Sequence, residues 1–144
     1  MQYQIKRELI LPADPQTVWD KSFGSPEALA TWFLPVMEGT FKPGETLTFD
    51  CGEKVAQARI LTIDPPKKLE WQGHPGGAHK LSDFPESEMT TDTFLLESHP
   101  EGTKLTVTES GYSNIPEPRR SIAQKDNDNG WDIVLPMIAK TYEK

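Results

Sequence analysis

The chain has 144 residues, enough for one domain that buries roughly 70% of its extended surface and too few for two. Its 22 acidic against 15 basic residues give a formal net charge of -7, which argues against a protein that grips nucleic acid through a concentrated basic face. No run reaches the roughly 18 apolar residues of a membrane span, the first residues hold no secretory-type apolar stretch, and the single Cys51 has no internal partner, so a cytoplasmic protein is expected.

Tyr3, Ile5, Leu9 and Leu11 alternate with Gln4, Lys6 and Glu8, a period of two that predicts a first strand with one covered face, Arg7 being the exception on it. Asp14 and Pro15 then open a short helix that Gly24 ends, and Ser25 with Pro26 opens a second, over 27–33, that stops before Pro35. Trp19, Trp32 and Phe33 come close together on this helical pair.

Strands follow. Phe41 and 47–49 flank the turn Lys42-Pro43-Gly44-Glu45, 55–63 and 69–71 flank Asp64-Pro65-Pro66-Lys67, and 89–97 and 104–108 flank Pro100-Glu101-Gly102. Consecutive strands joined by short turns predict an antiparallel sheet, with Cys51 filling space in a strand. Two stretches break the pattern: 73–86, which holds Pro75, Gly76, Gly77 and both His74 and His79, and 113–120, which holds Pro116 and Pro118. Both read as loops, the first longer than most. After them Ser121 and Gln124 form a capping-box pattern, and Trp131, Val134, Leu135, Ile138 and Tyr142 recur at helical spacing, predicting a closing helix bent at Pro136. These pieces bury their apolar faces together only if the sheet curls around that last helix, which suggests a cavity.

Ala13, Val18-Trp19, Pro26-Glu27, Trp32 and Pro35, then Pro43-Gly44, Asp64-Pro65-Pro66, Leu69 with Trp71, Gly102-Thr103 with Leu105, and Gly130-Trp131 with Leu135 stand in an order that spans nearly the whole chain. With that order the chain resembles the START-like superfamily, also called SRPBCC or the birch-pollen-allergen fold, and within it the branch named for the activator of the heat-shock-protein-90 ATPase. The resemblance implies an α+β helix-grip fold with residues 1–144 as a single domain. Its curved antiparallel sheet, of about six or seven strands, would wrap around a long C-terminal helix, with two short helices after the first strand. It does not fix an activity, because the superfamily holds ligand carriers, cyclases, hydroxylase parts and chaperone modules alike. One residue departs from the family pattern: Asp92 stands where the family usually places an apolar side chain, and facing inward it makes the pocket partly polar.

Motifs for catalysis and cofactors are missing. His74, His79, His99 and Cys51 lack the short paired spacing of a metal site, so neither metal nor cofactor is expected. Glu109-Ser110-Gly111-Tyr112-Ser113 lacks the frame of a nucleophile turn, and Gly76-Gly77 lacks the lysine and helix start of a phosphate cradle. No catalytic residue is assigned. What remains is an aromatic set on the elements that would surround one cavity, with a few polar groups among it. The candidate ligand-binding residues are Trp32, Phe33, Trp71, His74, Asp92, Phe94, Tyr112 and Trp131. Plain core packing competes for every ring and best suits Trp19 and Trp131. Trp71 and Tyr112 adjoin the two loops and suit an entrance.

The leading expectation is a protein that binds a hydrophobic or aromatic small molecule, lipid-like or polyketide-like, under a lid formed by 73–86. The first alternative is an interaction module that binds a heat-shock chaperone ATPase, as the family resemblance implies. The second is a cyclase- or hydrolase-type enzyme in which Asp92 or Glu109 moves a proton beside a carbonyl. Nucleic acid and a membrane span are not expected.

Overall fold

Seven antiparallel strands form one open sheet in the computed structural model, which describes residues 3–143. In chain order the elements are β1 (Gln4–Leu11), α1 (Pro15–Val18), α2 (Pro26–Leu29), β2 (Val36–Glu38), β3 (Thr46–Cys51), β4 (Lys54–Asp64), β5 (Lys68–Gly73), β6 (Thr90–His99), β7 (Gly102–Ser110) and α3 (Arg119–Lys140). The strands lie in the order β1-β7-β6-β5-β4-β3-β2, so the chain's first strand closes one edge beside its last. Bulges between Ile60 and Thr62 and between Val36 and Glu38 bend the sheet locally. This is the helix-grip fold.

The first helical stretch ends at Gly24 as the sequence pattern indicates, and the second is shorter than expected. Asp14 takes a bond from the Thr17 hydroxyl rather than from a backbone N–H, and α1 runs on into a π-turn over Trp19–Phe23. Ser25 does cap α2, its hydroxyl accepting from the Ala28 N–H at 3.1 Å. Yet α2 ends at Leu29, not Phe33, because the chain must turn Trp32 inward, where its Nε1–H donates to the Ser22 carbonyl at 2.7 Å.

α3 starts at Arg119, two residues before Ser121, whose N–H and hydroxyl donate to Glu117. Pro136 sits on its exposed side, and the helix runs on to Lys140. Arg7 explains its own place in β1: it reaches α3 and pairs with Asp128 at 2.5 Å and Asp132 at 3.1 Å. Cys51 ends β3 exposed, not buried within the strand. At the β6–β7 turn Gly102 has φ of 137°, and a Cβ there would lie 2.2 Å from the Leu11 carbonyl oxygen, so only glycine lets β1 run out against this turn.

The core fills the space between the sheet's inner face, the helical pair and α3. Val18, Trp19, Phe23, Leu29 and Trp32 meet Leu47, Phe49, Ile60, Leu69, Trp71, Phe94 and Leu105, with Leu135 and Ile138 closing from α3. Trp32 packs on Phe23 and Phe33, and Phe94 touches Phe23, Trp32, Trp71 and Trp131 with ring centroids 5.2 to 5.9 Å apart. Tilted and edge-on rings at such distances add to plain area burial.

Candidate ligand site

A cavity of about 210 Å³ lies between the sheet and α3. One side is apolar: Trp32 and Phe33 after α2, Phe49 on β3, Trp71 on β5, and Trp131 with Val134 on α3. The other is polar: Thr90 and Asp92 on β6, Glu109 on β7, Asn127 on α3 and His74 on the loop after β5. His74, Pro75 and Gly77 bring that loop to its mouth.

Asp92 and Glu109 are directly opposite each other in the β6–β7 register, on the sheet face that looks at α3. Glu109 is 2% exposed and collects donors. The Tyr112 hydroxyl donates to it at 2.5 Å, the Asn127 amide spans both its oxygens at 3.0 and 2.9 Å, and the Trp131 Nε1–H reaches it at 3.4 Å. Donors on every side suit an ionised carboxylate. Asp92 is held differently, taking one bond, from the Trp71 Nε1–H at 2.9 Å, while its Oδ1 is sealed from water with no donor facing it. Burial, then the charge of Glu109, then a hydrogen bond with Glu109 push the Asp92 carboxyl well above the usual carboxylate range. Asp92 is thus the member of the pair whose surroundings favour the protonated form. Burial and the Glu109 charge likewise drive the Tyr112 phenol upward, so it acts as a neutral donor.

Of the eight sequence candidates, Trp32, Phe33, Trp71, His74, Asp92 and Trp131 are brought together on the cavity wall. Two are not. Phe94 is 1% exposed and lies behind the wall, covered by four rings. Tyr112 is fully buried instead of standing at an entrance, because Gly111, at φ of 105°, turns the chain so that the phenol folds under Glu109 beside Ile5, Ile115 and Ala123. Trp71, also read as an entrance residue, is 4% exposed, while Trp131, read as packing, lines the cavity.

Asn127 and Thr90 escaped the sequence reading. The available signal for Asn127 was its spacing, one helical turn before Trp131 on the stripe that carries Ala123 and Val134 inward. Its two ends do different things: the amide NH₂ holds Glu109 and the carbonyl oxygen accepts from the Gly76 N–H at 3.0 Å. The loop is thereby tied to the acid pair through one side chain. It is tied again by Gln57, whose N–H donates to the His79 carbonyl and whose side-chain oxygen accepts from the Leu81 N–H.

Asn127→Ala is expected to speed amide exchange at Gly76 at least tenfold, since the bond that shelters it is gone, and to lower stability by about 2 kcal/mol because buried Glu109 loses a bidentate donor. Hydrogen exchange followed by NMR reads the first and urea unfolding the second. An unchanged Gly76 rate would mean that the loop is held without Asn127.

A family model described as Activator of Hsp90 ATPase homolog 1-like protein matches residues 12–143. The chain belongs to this family. Like this member of it, the Aha1 dimer from Colwellia psychrerythraea has the fold, at 20% identity and a TM-score of 0.73 over 97% of this chain and 96% of that one. Protein MLL2253 from Mesorhizobium loti is similar at 20% identity and a TM-score of 0.71, over 95% of this chain and 94% of that one. DynU16, a protein of the dynemicin biosynthetic locus, matches at 18% identity and a TM-score of 0.74, over 97% of this chain but only 47% of its own. Such identities establish a common fold and no common activity. No curated protein matches the sequence. Among the described residues of this family member no helix is long and apolar enough to cross a membrane.

Proposed function

We propose that this protein binds one hydrophobic or aromatic small molecule in the cavity between the sheet and α3. The observation that supports it is the division of the wall, with Trp32, Phe33, Phe49, Trp71 and Trp131 on one side and the Asp92–Glu109 pair on the other. A buried acid pair costs folding energy, and a core that only needed filling would place apolar side chains there. An apolar cavity of roughly 150 Å³ takes a benzene ring. By that measure 210 Å³ suits one ring with a short substituent. The loop that Asn127 and Gln57 tie down serves as the cover.

Native mass spectrometry of freshly purified protein, followed by a thermal-shift screen of single-ring aromatics, short lipids and polyketide mimics, tests this reading. A bound mass is expected, or a stabilisation near the roughly 2.7 kcal/mol that a ligand supplies at a hundredfold excess over Kd. No bound mass together with no shift across the screen would overturn it.

A second reading is favoured by one observation, the buried Asp92 carboxyl at the cavity wall, whose surroundings favour the protonated form and so suit proton transfer beside a ligand carbonyl. An Asp92→Asn protein that binds ligand and keeps every measurable turnover removes it. Docking on a chaperone ATPase has the family match behind it, but the exposed large apolar side chains among the described residues are divided between α3, with Ile122, Ile133 and Met137, and three different strands, with Ile10 on β1, Met37 on β2 and Leu61 on β4. β1 and β2 are opposite edges of the sheet, whereas a functional apolar patch is a contiguous roughly 300–600 Å².

A further inference from the structure

The polar side of the cavity has its donors engaged, the protonated Asp92 carboxyl turning its own O–H to Glu109, and it leaves acceptor atoms open. The Nε1–H groups of Trp32, Trp71 and Trp131 donate to Ser22, Asp92 and Glu109 in turn. The Asn127 amide donates to Glu109 and the Gln57 amide to the Thr48 hydroxyl, while their carbonyl oxygens already accept from Gly76 and Leu81. The Thr90 hydroxyl lies within 3.4 Å of the Gly73 carbonyl and of Glu109. Two buried side-chain atoms on the wall have no donor facing them: Asp92 Oδ1 and His74 Nδ1. His74 is 8% exposed, and its Nε2 faces the Leu81 carbonyl at 2.9 Å, an oxygen that only accepts. In the neutral ring the proton is therefore on Nε2, and Nδ1 presents a bare lone pair.

Charge points the same way. Among the described residues that line the cavity there is no lysine or arginine, while Glu109 is a carboxylate and Asp92 can become one. An acid end beside the faces of Trp71, Trp131, Phe33 and Phe49 repels an anion and attracts a cation through both charge and ring quadrupoles. The net charge of -7 adds a field of the same sign.

From this polar end, whose donors are engaged and whose open atoms accept, beside an aromatic wall, we infer that the ligand is an organic ammonium: a protonated amine on a small apolar or aromatic body, its N–H donors directed at Asp92 and His74 Nδ1. This deepens the proposed function and rests on it. Binding transfers one proton out. The neutral Asp92 carboxyl gives its proton to solvent as the ammonium takes its place, so the site goes from one negative charge to two and the ligand's positive charge restores the original balance. Glu109 from β7, Tyr112 just past it and His74 from the loop are the titratable groups that face Asp92 across the cavity and behind it.

The test is calorimetry with three probes of one size, 2-phenylethylamine, 2-phenylethanol and phenylacetate, each run in two buffers of different ionisation enthalpy. The amine is expected to bind about tenfold more tightly than the alcohol, as charge and cation–π terms of that order provide, with proton release, and phenylacetate more weakly than either. Asp92→Asn is expected to abolish the proton release and the amine's advantage while the alcohol still binds, which shows that the variant's cavity is intact. If the alcohol or phenylacetate matches the amine, or Asp92→Asn leaves the amine's advantage unchanged, the ammonium assignment fails and the cavity reading stands. If none of the three binds and the wider screen is silent as well, both fail.

Discussion

Replacing Asp92 with asparagine is expected to stabilise the unliganded protein at neutral pH and to leave it nearly unchanged near pH 4. The folded state holds the Asp92 proton more tightly than the unfolded chain does, because burial and the Glu109 charge both penalise the ionised form. The sign follows from where each state loses its proton. Below the unfolded value, about 3.9, both states are protonated and the group is neutral to stability. Above it the unfolded chain sheds the proton and the folded protein does not, so stability falls by about 1.4 kcal/mol per pH unit. The fall ends only when Asp92 itself ionises in the folded state.

Asparagine has no proton to lose, still accepts from the Trp71 Nε1–H, and offers its NH₂ to Glu109. Urea unfolding of both proteins at several pH values between 4 and 7 should therefore give a difference that is near zero at the acid end and widens with pH in favour of the variant. Parallel stability curves would show that Asp92 is ionised in the folded protein, and the account of its surroundings as favouring the proton would be wrong. A natural residue that lowers stability at the pH where the protein works is retained for something other than folding, which is why this measurement bears on the cavity.

The strands were legible because their signals are local. Alternation in 4–11 and the turn residues at Pro43-Gly44, Pro65-Pro66 and Glu101-Gly102 need no knowledge of the rest of the chain, and they lead to the observed strands. Helix ends were less legible, since what ends α2 is the tertiary bond from Trp32 to Ser22 and what starts α3 is Glu117 gripping Ser121 from outside it. Neither leaves a propensity signal.

The site divides the same way. Asp92 was visible as a carboxylate between two threonines, where the family usually places an apolar residue. Glu109 was one acid among 22, and its depth in the core follows only from its partners. It was named with Asp92 as a candidate proton carrier, and the β6–β7 register would have paired the two: the tight turn from His99 to Gly102 fixes the pairing, and counting back from it sets Asp92 opposite Glu109. Tyr112 misled for a related reason. An aromatic beside a proline-bearing loop reads as an entrance residue, but the positive φ of Gly111 reverses the chain and sends the ring inside.

Phe94→Ala is expected to be the most destabilising alanine substitution among the aromatic residues in and behind the cavity wall, and its effect separates that wall from what supports it. Phe94 is 1% exposed, and its ring meets Phe23 at 5.2 Å, Trp71 at 5.3 Å, Trp32 at 5.8 Å and Trp131 at 5.9 Å. Truncation removes the transfer energy of the ring and leaves a void that four large, mutually packed side chains cannot collapse to fill, so a loss of about 3–5 kcal/mol is expected. Phe94→Leu, which refills most of the volume, should cost about 1.5 kcal/mol or less.

Urea unfolding gives both numbers, and the fluorescence of Trp32, Trp71 and Trp131, each bordering the void, should shift in the alanine variant alone. Ligand binding tells the two roles apart. A residue that touched ligand would lose affinity in both variants, whereas one behind the wall should leave the leucine variant's affinity within about twofold of the parent, by the tolerance of cores to near-isosteric apolar swaps. A cost below about 1 kcal/mol for alanine would mean that Trp32, Trp71 and Trp131 do close over the gap, and the aromatic wall would then be a mobile surface instead of a fixed one.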